Sequence, residues 1–229
     1  MSRLLVLTAL DSETRTLARH LGLPAVGRSA FPRYRHGVLE IVAVGLRAAL
    51  LRERVASPRA PCLVISAGVC GALAPTLVQG DVVVPETVLD DDGTRWTTTE
   101  VPGLARRGTL LSSRAVAADA AAKSRLWLAT GASAVDLESA PILTWAREHG
   151  VSALVVRGVS DTATETVPPD LAAVVGHDGR TRPMRAVHAA LARPSALADA
   201  LSLRRGLQAA LASVAATLAT MARAPAASR

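Results

Sequence analysis

Leu63-Val64-Ile65 and Leu154-Val155-Val156 are unbroken apolar runs rich in β-branched residues. A strand with one wet face alternates apolar and polar residues. A strand covered on both faces need not, so runs like these belong to a sheet held between helices. The surrounding chain agrees. Leu4–Leu10 reads as a first strand and Ser12–Leu21 as a helix capped by Asp11 or Ser12. His36–Val44 reads as a strand running into Gly45, and Leu46–Val55 as a helix with apolar residues at helical spacing. Short strands follow at Cys62–Ala67, ending at Gly68, and at Asp81–Leu89, opened by the Gln79-Gly80 turn. Ala115–Ala129 reads as an Ala-rich helix. Ser133–Leu137 and Ser152–Val159 read as strands separated by the helix Ser139–His149, which Gly150 closes. Strands alternating with helices predict an α/β fold: a single three-layer α/β/α domain over residues 1–229 with a mixed, largely parallel central sheet. The proline-rich segment at about 165–195 reads as an insertion or lid. The last helix, about 197–221, carries Leu203, Leu207, Leu211, Val214 and Leu218 on one stripe and is expected to dock on the sheet.

Composition removes several function classes. The 229 residues are 50% hydrophobic and 20% charged, enough to bury one core and too apolar for a disordered chain. No apolar run approaches the ~18–20 residues a membrane span needs. The N-terminal run is too short for a signal peptide and lacks a small-residue cleavage site, so a cytoplasmic location is expected. Cys62 and Cys70 form neither a disulfide framework nor a metal or redox pair. The net charge of +7 comes mostly from scattered arginines, with Lys123 the only lysine, and no nucleic-acid module accompanies it. Nucleotide loops of the GxGxxG or GxxxxGK[ST] type, a GxSxG elbow and metal-type histidine spacing are all absent.

Open α/β sheets bind ligands at the carboxyl ends of their strands. Asp11-Ser12-Glu13 follows the first strand, and Gly68-Val69-Cys70-Gly71 follows the third. Glu138 follows the strand at 133–137, and Ser160-Asp161 the strand at 152–159. One acid after a strand is usually a helix cap. Three acids and a glycine turn on one sheet edge make a candidate site.

Ile65-Ser-Ala-Gly-Val-Cys-Gly-Ala-Leu-Ala-Pro75, followed by Gly80-Asp-Val-Val-Val, resembles the glycine-turn signature of the nucleoside phosphorylase and nucleosidase superfamily. Ala134-Val-Asp-Leu-Glu-Ser139 resembles its ribose-binding strand end, and Val155-Val-Arg-Gly-Val-Ser-Asp161 its base-recognition strand end. The resemblance runs over roughly residues 3–165. It implies a nucleoside phosphorylase-like fold and cleavage of the N-glycosidic bond of a purine ribonucleoside. Asp161 is then the general acid on the base, kept protonated near neutral pH by burial among Val155, Val156 and Val159, with Ser160 orienting it. Glu138 holds the ribose hydroxyls, Leu137 offers backbone contacts, and Gly68 allows close approach of sugar and base. Asp136 is read as pointing to the opposite strand face and is left out of the site.

Glu13 stands where methylthioadenosine/adenosylhomocysteine nucleosidases resembling this chain carry the glutamate that activates water. Phosphorylases carry phosphate-binding arginines there and at the position of Ser66, so the resemblance implies water as co-substrate rather than phosphate. Val69 replaces a small hydroxyl residue, and Val116 falls near a base-stacking aromatic of the nucleosidases. Arg47 is read as meeting either phosphate or solvent. Asp161-Thr-Ala, Val167-Pro-Pro-Asp170, His177-Asp-Gly-Arg-Thr-Arg-Pro183 and Leu191-Ala-Arg-Pro194 resemble the hopanoid-associated phosphorylase branch, which implies removal of adenine from adenosylhopane. The alternatives are a methylthioadenosine/adenosylhomocysteine or futalosine nucleosidase, a purine nucleoside phosphorylase, and a nucleoside-binding module without turnover. The resemblance implies no metal or organic cofactor and a homodimer. Arg185, Arg193, Arg204 and Arg205 are read as a solvated face or as a peripheral contact with anionic lipid.

Overall fold

The computed structural model describes residues 3–55, 57–58, 62–166 and 196–223, without the side chains of 196–202. Its axis is β4 (Cys62–Ala72), which carries the glycine turn inside the strand. Parallel β1 (Arg3–Thr8) lies along the first half of β4, and parallel β10 (Ser152–Asp161) follows nearly all of its other edge. Beyond β1 come β3 (Leu39–Ala43) and the antiparallel β2 (Arg33–His36). At Gly71 and Ala72, β4 also pairs with β9 (Ala134–Asp136), which continues into β8 (Thr109–Ser112), β6 (Thr87–Asp90) and β7 (Arg95–Thr97). β5 (Val82–Val83) adds to the free edge of β10. The sheet is mixed and largely parallel, as the sequence predicts.

Alternation along β1 explains the two-sided burial. Leu4 and Val6 join Ile41, Ile65, Leu154 and Val156 on one face. That face is covered by Leu17 of α1 (Asp11–His20) and by Leu211, Val214 and Leu218 of α5 (Ala196–Arg223). Leu5 and Leu7 join Val42 and Val64 on the other face. There Leu51 of α2 (Leu51–Arg54) and Ile142 and Trp145 of α4 (Ser139–Glu148) cover them. Each such side chain contributes about 1.5–3 kcal/mol when fully buried. The last helix docks through the anticipated stripe, with Leu207 only partly buried beside it.

Several boundaries move, each for a local reason. The single strand at 36–44 is a β2–β3 hairpin turning at Gly37, which has φ +56°. Pro85 separates β5 from β6 where one strand was expected. The glycines do not end β4, because β10 stays paired with it to Gly71. The 46–55 helix is a 3-10 turn at Leu46–Ala48 followed by the single turn α2. α3 (Ala120–Thr130) begins later than expected, at Asp119, whose carboxylate accepts the Ala122 N–H at 2.7 Å. Leu10, not Asp11 or Ser12, is the cap of α1, because the carboxylate of Glu13 itself accepts the Leu10 N–H. Most of the 165–195 lid lies outside the described residues. No helix among the described residues is long and apolar enough to cross a membrane.

Candidate active site

A cavity of about 220 Å³ opens where β1, β4, β9 and β10 end, and Glu13, Glu138 and Asp161 all line it. A larger cleft of about 510 Å³, beside Phe31 and Tyr34, shares no lining residue with it and has only Asp11 as an acid. The three acids come from separate elements, so the parallel sheet is what unites them.

Glu13 sits in the first turn of α1. Its Oε2 accepts the Leu10 N–H at 3.0 Å and its Oε1 the Val69 N–H at 3.1 Å. Burial raises its pKa, against the opposing pull of Arg157 and these N–H donors. Gly68 has φ +144°, and a Cβ there would stand 2.8 Å from both Glu13 Oε1 and Arg157 Nη1. The missing side chain therefore makes room for two protein groups, and Gly68 itself does not line the cavity. Gly71 has the corresponding role for Asp161, whose Oδ2 would meet an added Cβ at 2.9 Å.

Arg157 is one of the residues that the sequence did not reveal. Its Nε lies 2.7 Å from Asp136 Oδ2, and its Nη2 lies 3.7 Å from Glu138 Oε2 and donates to Ser66 Oγ at 2.8 Å. Burial opposes its charge, but Asp136, Glu138 and Glu13 outweigh burial and raise its pKa. Asp136 is thus inside the site, lining the same cavity as Glu138. The expectation of an opposite face fails because alternation puts residues two apart on the same face. An arginine interrupting the Val-Val-Arg-Gly-Val run was the available signal, since a buried guanidinium requires acid partners.

Glu138 accepts the Arg47 N–H at 3.1 Å. Burial pushes its pKa up to about 7, with Arg157 pulling down and the charges of Asp136 and Glu13 pushing further up. Arg47 is exposed, and its side chain is also held by the protein. Its φ is +53°, a conformation non-glycine residues rarely hold, and its Nη2 donates to the Arg114 carbonyl at 2.8 Å. The strained turn aims its N–H at Glu138, while the guanidinium ties the turn to the segment ahead of α3.

Asp161 departs most from expectation. Ser160 donates to its Oδ1 at 2.6 Å, and the Lys123 ammonium lies 2.5 Å from its Oδ2. Val155, Val156 and Val159 are buried along β10, yet α3 sets against Asp161 a cation that its Ala-rich sequence did not announce. The rest of the cavity is apolar, with Leu46, Val69, Val116, Leu137 and Leu203 in its wall. Val116 remains 46% exposed at the wall. Cys70 also lines the cavity, and burial pushes its thiol well above the usual range. Among the described residues that line the cavity there is no lysine or arginine. No group of three His, Cys, Asp or Glu among the described residues is arranged to hold a metal ion. Arg204 and Arg205 are exposed on α5, and Arg185 and Arg193 lie outside the described residues.

The model of the Phosphorylase superfamily matches residues 5–103 and 99–201. A search of curated proteins finds no match. Among solved structures, a Neisseria meningitidis 5′-methylthioadenosine/S-adenosylhomocysteine nucleosidase bound to methylthio-immucillin-A superposes with TM-score 0.67. It is 17% identical over 97% of this chain and 99% of that one. A mutant Helicobacter pylori MTAN with 5′-methylthioadenosine in its active site gives TM-score 0.66 at 15% identity, over 97% and 98%. The futalosine hydrolase of Helicobacter pylori gives 0.64 at 17% identity, over 96% and 97%. At these identities the likeness shows a shared fold.

Proposed function

The chain belongs to the phosphorylase superfamily, and from that premise we propose that it hydrolyses the N-glycosidic bond of an adenine ribonucleoside carrying a large apolar 5′ group, as in adenosylhopane. The observation that carries this reading is a cavity lined by Glu13, Glu138 and Asp161 and, among the described residues, by no cation. A phosphate dianion needs cations or many N–H donors to be held, and here it would face four carboxyl groups, those three and Asp136. Water has no such requirement.

The chemistry then follows from position. The C1′–N9 bond breaks with its electron pair leaving on the purine, and Asp161 gives a proton to N7 so that the base departs neutral. Glu138 accepts hydrogen bonds from the ribose 2′- and 3′-hydroxyls, and its charge stabilises the oxocarbenium-like transition state. Glu13 takes the proton of the water that bonds to C1′. Burial raises the pKa of Glu13, which makes it a stronger base than a free carboxylate. Leu46, Val116 and Leu203 supply an apolar wall for the 5′ group, where buried hydrocarbon gains about 25 cal/mol per Å². A cytoplasmic homodimer is part of the same proposal.

Purified protein should be given adenosylhopane, methylthioadenosine, adenosylhomocysteine, futalosine and inosine, with and without phosphate. Adenine and a free reducing sugar are expected, fastest from the most apolar substrate and indifferent to phosphate. Stoichiometric ribose 1-phosphate would overturn water as the nucleophile. A preference for inosine would overturn the adenine assignment.

A further inference from the structure

We propose that Lys123 is a positioning residue of this reaction: it holds Asp161 in place and stabilises the carboxylate left when Asp161 gives its proton to the departing purine. The proposal rests on the hydrolytic reading above. Lys123 is the only lysine of the chain and is 0% exposed. Each N–H of its ammonium meets an oxygen: Asp161 Oδ2 at 2.5 Å, the Thr162 carbonyl at 2.7 Å and the Glu165 carbonyl at 2.9 Å. A surface lysine without a role would reach water, because burying an ammonium is costly unless it is paired and hydrogen-bonded.

The geometry gives the pairing a direction. Asp161 lines the cavity and Lys123 does not, so the lysine stands behind the acid, out of contact with the base. The other carboxylate oxygen is taken by Ser160 at 2.6 Å. Glu165 does not compete for the ammonium through its side chain. That carboxylate instead accepts the Thr162 N–H at 2.7 Å and the Gln79 amide at 3.1 Å. Gln79 and Thr162 thus hold the 162–165 turn in the form that presents its two carbonyls to Lys123.

In the bond-breaking step the C1′–N9 electron pair goes to the purine, one proton passes from Asp161 to N7, and a negative charge remains on Asp161. Lys123 meets that charge without moving, in a setting with little water to screen it. Glu13 holds the proton taken from water, and proton exchange with solvent resets both acids. The charged and titratable groups around Asp161 are Lys123 from α3, Cys70 from β4 and Glu165 from its own turn. Glu13, Glu138 and Asp136 share the cavity, and Arg157 is bound to the last two. α5 contributes the uncharged Leu203.

The test uses the full chain and measures kcat and KM for adenine release from a ribonucleoside that the wild type cleaves. Lys123→Met should lower kcat at least about tenfold, with a smaller change in KM. Lys123→Arg should restore most of the rate. In the Asp161→Asn background, Lys123→Met should cost little more, because both act through one group. That double variant holds no buried unpaired charge and keeps the cycle measurable if the single variant is unstable. A Lys123→Met enzyme with wild-type kcat overturns the proposal, as does a fully additive loss in the double variant. A wild type that releases no adenine from any ribonucleoside overturns the hydrolytic reading, and this one with it, before any variant is made.

Discussion

Asp161, Glu138 and Glu13 are three carboxyl groups with three different sets of partners, and their proposed roles separate accordingly. Asp161→Asn keeps the size and the hydrogen bond from Ser160 but has no proton to give. Turnover should fall at least about 100-fold with the circular dichroism spectrum unchanged. A variant with near-normal rates on a purine leaving group would remove Asp161 from the acid role. Glu138→Gln should harm ribonucleosides more than 2′,3′-dideoxy analogues, by the ~1.5–3 kcal/mol of charge-assisted hydrogen bonds to the diol. Equal losses on both substrates would show that Glu138 does not hold the sugar. These acids were legible in the sequence because each follows an apolar strand. Arg157, Asp136 and Lys123 were not, because their meaning lies in partners remote in the chain. Arg157 binds Asp136 from β9, and Lys123 binds Asp161 from α3. A charged residue within an apolar run announces that a partner exists without saying which.

At the scale of elements, the apolar strands and the stripe on α5 were readable, since burial on two faces leaves its mark on every residue. The short strands β7 and β8 were not, being Arg95–Thr97 and Thr109–Ser112, with little apolar pattern to see. The closeness of α5 to β10 was also hidden. A Cβ on Gly158 would fall 2.7 Å from the Ala210 carbonyl carbon, and one on Gly206 would collide with the Ser160 carbonyl oxygen. These two glycines let helix backbone and strand backbone meet, with Leu203 of the same helix in the cavity wall. Gly206→Ala should therefore push α5 away from the end of β10. The expected loss is about 1–3 kcal/mol of stability by denaturant unfolding, as for an overpacked core. KM for an apolar substrate should rise as well, because the wall moves. An unchanged midpoint would mean the interface yields without strain, and the close packing would then set nothing in the site.

At the scale of the whole molecule, a cavity that gathers buried acids is a liability that the fold tolerates. Glu138 has its pKa pushed from 4.5 to about 7, so folding disfavours its charge. Below the ordinary carboxylate range both folded and unfolded chains are protonated there, and nothing is lost. As pH rises from about 4.5 through about 7 the unfolded chain releases its proton first, so stability falls over that window and stays lower above it. Glu13, also raised by burial, adds to the same trend. Glu138→Gln keeps an acceptor for the Arg47 N–H and removes the disfavoured charge. It should unfold later than the wild type at pH 8, by ~1–3 kcal/mol, with the gain vanishing toward pH 4. Activity should move oppositely. The proposed stabilisation of the transition state needs Glu138 charged, so kcat/KM should climb with pH through about 7 while thermal stability declines. Measuring both on one preparation decides the matter. A wild type whose stability is flat between pH 5 and 8, or a Gln variant no more stable at pH 8, would mean that Arg157 already neutralises the whole penalty and that the acid-side limb of activity belongs to Glu13.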